Sequence, residues 1–130
     1  MITINSVNLK ASIVKGDSGI INVSNGTRGF LTGDTIYFTV KKVLDSEETE
    51  NTIITKTVDT FNDDHTCTIE IDADDTKDLE VRWYYYDIVF KDKDGGVNTL
   101  IQDYTEPNFE IRLGVTNGWN WECNKWNWYY

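Results

Sequence analysis

The chain has 130 residues, 39% of them hydrophobic and 26% charged, which is the composition of one soluble globular domain. Twelve Lys and Arg against 22 Asp and Glu give a formal net charge of −10. Because so acidic a surface repels phosphate backbones and anionic lipid heads, we expect neither nucleic acid nor membrane as a partner. No apolar stretch approaches the ~20 residues of a spanning helix, and no signal peptide is visible, so we expect no export by the secretory route.

Apolar and polar residues alternate with a period of two in several segments, the pattern of a strand with one buried face. Such alternation, or a shorter apolar run, covers residues 9–15, 36–40, 53–58, 67–71, 83–91, 97–101 and 109–113. A helical period of 3.6 appears nowhere, so at most a short helical turn is expected, near residues 74–79. The sequence predicts an all-β, antiparallel sandwich of roughly seven to nine strands over residues 1–114.

Glycines mark two of the turns between these strands. Gly95 and Gly96 lie between the strands at 83–91 and 97–101, which predicts a hairpin because glycine accepts positive φ. Gly33 lies between Leu31, an expected buried anchor, and the strand at 36–40. We expect these glycines to have a structural role only.

Tyr84 begins a predicted strand shortly after a crossover that contains Leu79. In immunoglobulin-like sandwiches a tyrosine at this place forms a tyrosine corner, in which the phenol hydroxyl bonds back to the backbone of the crossover. The alternative is that Tyr84 only fills space in the core. The sequence leaves both open.

No pattern of reactive residues predicts catalysis, a metal or a cofactor. His65 and Cys67 are two apart in a turn and strand, but nothing in the sequence supplies the third group that a nucleophilic pair requires. The acidic run at 72–75 lacks the ligand spacing of a calcium loop, and capping or turn formation explains it better. Cys67 and Cys123 have no motif spacing, and we expect both to be reduced.

The C-terminal segment, residues 115–130, differs in composition from the rest. Its four tryptophans are Trp119, Trp121, Trp126 and Trp128. Since each tryptophan carries a large apolar area, we expect the segment either to add a strand or hairpin to its own domain or to contact a partner.

One succession of short motifs resembles a known family. It includes Val14-Lys15-Gly16-Asp17, Phe30-Leu31-Thr32-Gly33-Asp34, Asp75-Thr76-Lys77-Asp78-Leu79, Tyr84-Tyr85-Tyr86-Asp87-Ile88, Gly96-Val97-Asn98-Thr99-Leu100 and Phe109-Glu110-Ile111. In this order, over roughly residues 9–113, they resemble the immunoglobulin-like N-terminal domain of baseplate upper proteins from tailed phages and prophages of Gram-positive bacteria.

The resemblance implies a non-enzymatic structural protein of a phage tail or baseplate. Its partners would be other tail, baseplate or receptor-binding proteins, in an oligomeric assembly. It would be located in the virion, after assembly in the cytoplasm of the bacterial host. Exposed sheet edges and large aromatic side chains would supply the contacts.

A second hypothesis comes from the aromatic residues. An acidic β-sandwich rich in tryptophan and tyrosine is also typical of carbohydrate-binding modules, in which aromatic rings stack on sugars. Trp83, Tyr85 and the four C-terminal tryptophans are the candidate contacts under both hypotheses, with cell-wall glycan as the ligand under the second. If Trp83 and Tyr85 merely cover the outer face of a sheet, they have no such role.

Overall fold

The computed structural model describes residues 2–4, 10–26, 28–44, 51–99 and 106–114. In chain order these residues form β1 (Ile2–Ile4), β2 (Ala11–Val14), β3 (Gly19–Val23), β4 (Thr35–Lys41), β5 (Thr52–Val58), β6 (Cys67–Ile71), α1 (Ala73–Thr76), β7 (Arg82–Lys91), β8 (Val97–Thr99) and β9 (Phe109–Arg112). The predicted all-β class with one short helical turn is confirmed. The C-terminal segment 115–130, with its four tryptophans, lies outside the described residues.

Two sheets face each other. The large sheet has the strand order β1-β2-β9-β7-β4-β5, with β8 also on β7, and the small sheet is the pair β3-β6. β4, β7, β8 and β9 therefore lie together in the large sheet, opposite the β3-β6 pair. This division corresponds to the C, F and G strands and the B and E strands of an immunoglobulin-like sandwich.

The described strand pairs are antiparallel as predicted, except that β2 and β9 run parallel. Period-two alternation indicates which face of a strand is buried, but it carries no information on the direction or identity of the neighbouring strand. Strand β3 was not predicted either. Ile21 is buried there while its neighbour Ile20 is 53% exposed, so the apolar pattern does not alternate.

The core lies between the inner faces of the two sheets. Phe38 of β4, Tyr86 of β7 and Phe109 of β9 form its aromatic centre, with ring centroids 5.7 to 6.1 Å apart. The alternation predicted for β4, β6, β7 and β9 is confirmed for nearly every residue. Leu113 is the exception: it was expected on the buried face of the last strand, but β9 ends at Arg112 and Leu113 is 67% exposed.

Tyr84 forms a tyrosine corner, one of the two alternatives that the sequence left open. Its hydroxyl donates a 2.7 Å hydrogen bond to the carbonyl oxygen of Glu80, and its ring is buried in the core. Leu79, in the same crossover, packs against the core and is half-buried. Tyr84 thus both fills the core and fixes the path of the chain into β7.

The glycine turns are also formed as predicted. Gly95 has φ +96° and donates its amide to the carbonyl of Asp92, while the Gly96 carbonyl accepts the amide of Asp92, which closes the β7-β8 hairpin. Gly33 has φ +98°, and a Cβ there would lie 2.9 Å from the Cβ of Lys93. A side chain at Gly33 would therefore strain the backbone and crowd the hairpin.

A buried carboxylate joins this hairpin to the turn before β4. Asp34 accepts hydrogen bonds from Arg28 Nη1 (2.9 Å) and Nη2 (3.2 Å) and from the amides of Leu31 and Lys93, both at 2.8 Å. The bonds from Arg28, followed by those from the two amides, lower the pKa of Asp34 to about 2 although burial opposes this. The ionised Asp34 side chain therefore links the two turns through hydrogen bonds to the amides of Leu31 and Lys93.

Candidate functional site

The candidate contact residues on β7 lie on the outer face of the large sheet. We use "outer face" for the solvent-facing side chains of β4, β7 and β9. Tyr84 and Tyr86 point into the core, so the pleat of the strand directs Trp83 and Tyr85 to this outer face. Trp83 is 39% exposed and Tyr85 is half-buried. The structure therefore brings these two predicted residues together, two positions apart on one strand.

A groove runs along the outer face between β4 and β7. The strand register places Tyr85 opposite Lys41 and Asp87 opposite Thr39. With Leu44 these residues line a groove of about 330 Å³. The tyrosine ring thus has a hydroxyl, an ammonium and a carboxylate as neighbours, a mixture that suits a surface which binds by both apolar contact and hydrogen bonds.

Trp83 is held in position by a charged neighbour. The ammonium of Lys10 lies 5.4 Å from the centre of the Trp83 ring and 2.6 Å from Glu106 Oε1. A cation over an exposed aromatic ring contributes about 0.5–1 kcal/mol. Because Lys10 also pairs with Glu106, the indole has a defined neighbour while more than a third of it stays open to solvent.

The turn after β4 adds exposed apolar area beside this groove. Val43 is 48% exposed and Leu44 39% exposed. The turn is well anchored, since the Asn51 side chain accepts the Val43 amide (2.8 Å) and donates to the Val43 carbonyl (2.7 Å). Arg82 Nη2 donates to the carbonyl of Lys42 at 3.3 Å, which ties the start of β7 to the same turn. Exposed apolar side chains on an anchored backbone are typical of a contact surface.

His65 and Cys67 do not form a reactive pair. His65 is an exposed turn residue with φ +65°, as the sequence indicated, whereas Cys67 is fully buried in β6. Burial raises the pKa of the Cys67 thiol to about 11, so the thiol is protonated and unreactive at neutral pH. Cys123 lies outside the described residues.

The acidic run at 72–75 has a structural role at the start of α1. Asp75 accepts the amide of Asp72 at 2.7 Å and forms an ion pair with Lys56 at 2.8 Å. This is the capping role that the sequence favoured over calcium binding. Within the part of the chain that the structure describes, no three His, Cys, Asp or Glu side chains are grouped as metal ligands, and no helix is long and apolar enough to cross a membrane.

Sequence reasoning missed the buried polar residues that position this surface. Asn108 uses its side chain to accept the Tyr86 amide (2.7 Å) and to donate to the Tyr86 carbonyl (3.0 Å), so it continues the ladder of β7 between β8 and β9. Asn51 and Asp34 likewise hydrogen-bond backbone groups, at the turn after β4 and at the turn before it. Asparagine and aspartate are ordinary in turns, so the sequence holds no signal that distinguishes these three.

The groove and the anchored apolar turn share Leu44, and Trp83 lies two residues from Tyr85 on the same side of β7. The sequence matches no model of a known protein family and no curated protein.

Proposed function

We propose that this chain is a non-enzymatic structural module of a phage or prophage tail or baseplate, and that it assembles with neighbouring tail proteins through its outer face. The observation that carries the proposal is the position of Trp83 and Tyr85 on the same face of β7, with Tyr85 lining the same groove as the exposed Leu44. Aromatic and aliphatic side chains on a rigid backbone are the usual centre of a protein–protein interface.

The fold supports the same proposal in a second way. The arrangement of β4, β7 and the last strands opposite β3 and β6 is the one that the resemblance to baseplate upper proteins implies. A fold alone does not specify a function, so the proposal depends mainly on the residues of the outer face.

The test is incorporation into particles. Particles induced from the strain that encodes the chain should contain it at several copies each. Trp83→Ala and Tyr85→Ala should each lower the incorporated amount at least fivefold, because the centre of an interface carries most of its binding free energy. Ile20→Ala is the control, since Ile20 is 53% exposed on β3, in the small sheet and outside the proposed surface. Purified particles that lack the chain would refute the proposal.

Carbohydrate binding is the second candidate, favoured by the polar lining of the groove. Thr39, Lys41 and Asp87 surround Tyr85 with groups that can hydrogen-bond sugar hydroxyls. Calorimetric titration with cell-wall polysaccharide should then release or absorb heat with the natural chain and lose that signal in Tyr85→Ala. Tyr37→Ala, a change at a half-buried tyrosine of β4 that does not line this groove, is the matched control. No heat with any glycan would exclude this candidate.

A further inference from the structure

Asn25 and Gly26 follow β3, at the start of the turn that leads toward β4. Gly26 is exposed and has φ +51°, and a Cβ built on it would meet no atom of the described residues within 4 Å. The backbone nitrogen of a glycine is poorly shielded, because no side chain stands beside it. The Asn25 side chain is therefore followed by a backbone amide that its own Cγ can reach without steric hindrance.

This arrangement allows an intramolecular reaction in which water is the only co-reactant. The Gly26 nitrogen, once it has lost its proton to base, attacks Cγ of Asn25, and the Cγ–Nδ2 bond breaks as ammonia leaves. The product is a cyclic succinimide. Water then adds to one of its two carbonyl carbons and opens the ring to aspartate or to isoaspartate, in which the main chain runs through the side chain. The net change converts an amide and water to a carboxylate and ammonia.

The other asparagines in the described ranges lack this combination, since none of them precedes a glycine. Asn22 and Asn98 each precede a β-branched residue, whose side chain crowds the following nitrogen. Asn51 and Asn108 are buried, and their side-chain amides hydrogen-bond backbone groups. Asn25 is thus the described asparagine at which the required sequence and an accessible backbone coincide.

The side chain of Asn25 also contributes to the turn that holds Arg28. Asn25 Nδ2 donates to the Gly29 carbonyl at 3.4 Å. Arg28 Nη1 donates to the same carbonyl at 3.0 Å and to Asp34 Oδ2 at 2.9 Å. A carboxylate at residue 25 has no proton to donate to this carbonyl. It lies instead near the Arg28 guanidinium, where it competes with Asp34 for the same cation.

Isoaspartate changes the backbone of this turn as well. The Gly29 amide donates to the Asn25 carbonyl at 3.0 Å. A Cβ built on Gly29 would lie 2.5 Å from the Cβ of His65, so this glycine fits closely against the turn before β6. The extra main-chain methylene of isoaspartate displaces the hydrogen-bonded carbonyl and with it the position of Arg28.

We propose that Asn25 is a site of spontaneous deamidation, and that its conversion to aspartate or isoaspartate weakens the ion pair between Arg28 and Asp34. Because Asp34 links the turn before β4 to the β7-β8 hairpin, the converted chain is less stable than the natural one. The inference does not depend on the proposed assembly function.

The first test is peptide mapping by mass spectrometry after incubation of the full chain in mildly alkaline buffer. Asn25 should convert to its two products about tenfold faster than Asn22 or Asn98. Gly26→Asn should slow the conversion of Asn25 about tenfold, because asparagine tolerates positive φ but places a side chain beside the nitrogen. Asn117 also precedes a glycine and is the internal reference for the chemistry. An Asn25 that stays intact, whether or not Asn117 reacts, would overturn the proposed site.

The second test asks whether the conversion acts through Asp34. Asn25→Asp reproduces one product and should lower the folding equilibrium constant about fivefold in urea denaturation. In the Asp34→Asn background the same change should cost less, because the ion pair that it weakens is already lost. Equal losses in the two backgrounds, or no loss in the natural chain, would contradict the proposed effect on the ion pair.

Discussion

Tyr84 and Glu80 are joined across the crossover before β7 by a 2.7 Å hydrogen bond from the phenol hydroxyl to the backbone carbonyl oxygen. Burial of the ring, as the largest cause, raises the pKa of Tyr84. Trp83 and Tyr85 flank Tyr84 and face the opposite side of the sheet. The corner therefore helps to determine where the two candidate contact residues lie.

Removal of this hydroxyl should destabilise the fold without altering the outer face. We expect Tyr84→Phe to lower the free energy of unfolding by about 1–2 kcal/mol, because the Glu80 carbonyl loses its partner while the ring still fills the core. Urea denaturation measures the change. Tyr85→Phe removes a hydroxyl from the outer face and should cost less than about 0.5 kcal/mol. Equal losses in the two variants would contradict the corner's role.

Asp34 should be important for stability because its carboxylate holds two turns together. We expect Asp34→Asn to lower the free energy of unfolding by about 2–3 kcal/mol, since an amide can accept neither the bidentate Arg28 pair nor both backbone amides. Chemical denaturation at pH 7 tests this. Asp94→Asn is the control, because the Asp94 side chain is largely exposed and its nearest cation, Lys93, is 3.6 Å away.

Because the pKa of Asp34 is lowered in the folded chain, we expect the protein to lose stability in acid. The pKa of Asp34 is about 2 in the folded chain, below its ordinary value of 3.8. A group with a lowered folded pKa stabilises the fold fully above its unfolded pKa, and this contribution is lost as the pH falls from about 4 toward 2. Unfolding free energies measured across this range should therefore fall more steeply for the natural chain than for Asp34→Asn. Parallel curves would show that Asp34 does not titrate in this way.

Asn108 should be the most sensitive of the buried amides. We expect Asn108→Ala to cost about 2–4 kcal/mol, because it leaves both the amide and the carbonyl of Tyr86 without their side-chain partner inside the protein. Thermal unfolding followed by circular dichroism measures the loss. Asn98→Ala changes an exposed residue of β8 and should have little effect. A small loss for Asn108→Ala would mean that another group replaces the amide.

The thiol of Cys67 should be protected from modification. It is fully buried and its pKa is raised to about 11, so we expect a thiol reagent at pH 7.5 to label it only when the chain unfolds. Peptide mapping by mass spectrometry distinguishes Cys67 from Cys123. Rapid labelling of Cys67 in the folded chain would contradict its burial.

The sequence by itself determined the elements whose local pattern has one interpretation. Period-two alternation identified β4, β6, β7 and β9 because one face of each strand is buried, and the Gly95-Gly96 pair identified the hairpin because its turn requires positive φ. The same alternation separated Tyr84 from Trp83 and Tyr85, since neighbouring side chains on a strand point to opposite faces.

Only the tertiary structure decided which strands are neighbours and which polar residues are buried. The parallel pairing of β2 with β9 and the pairing of β5 with β4 depend on contacts between distant segments, which no local pattern encodes. Asp34, Asn51 and Asn108 have the sequence context of ordinary turn residues, and their importance comes from backbone groups brought to them by the fold. The groove beside Tyr85 likewise exists because the β4-β7 register places Lys41 and Thr39 next to it.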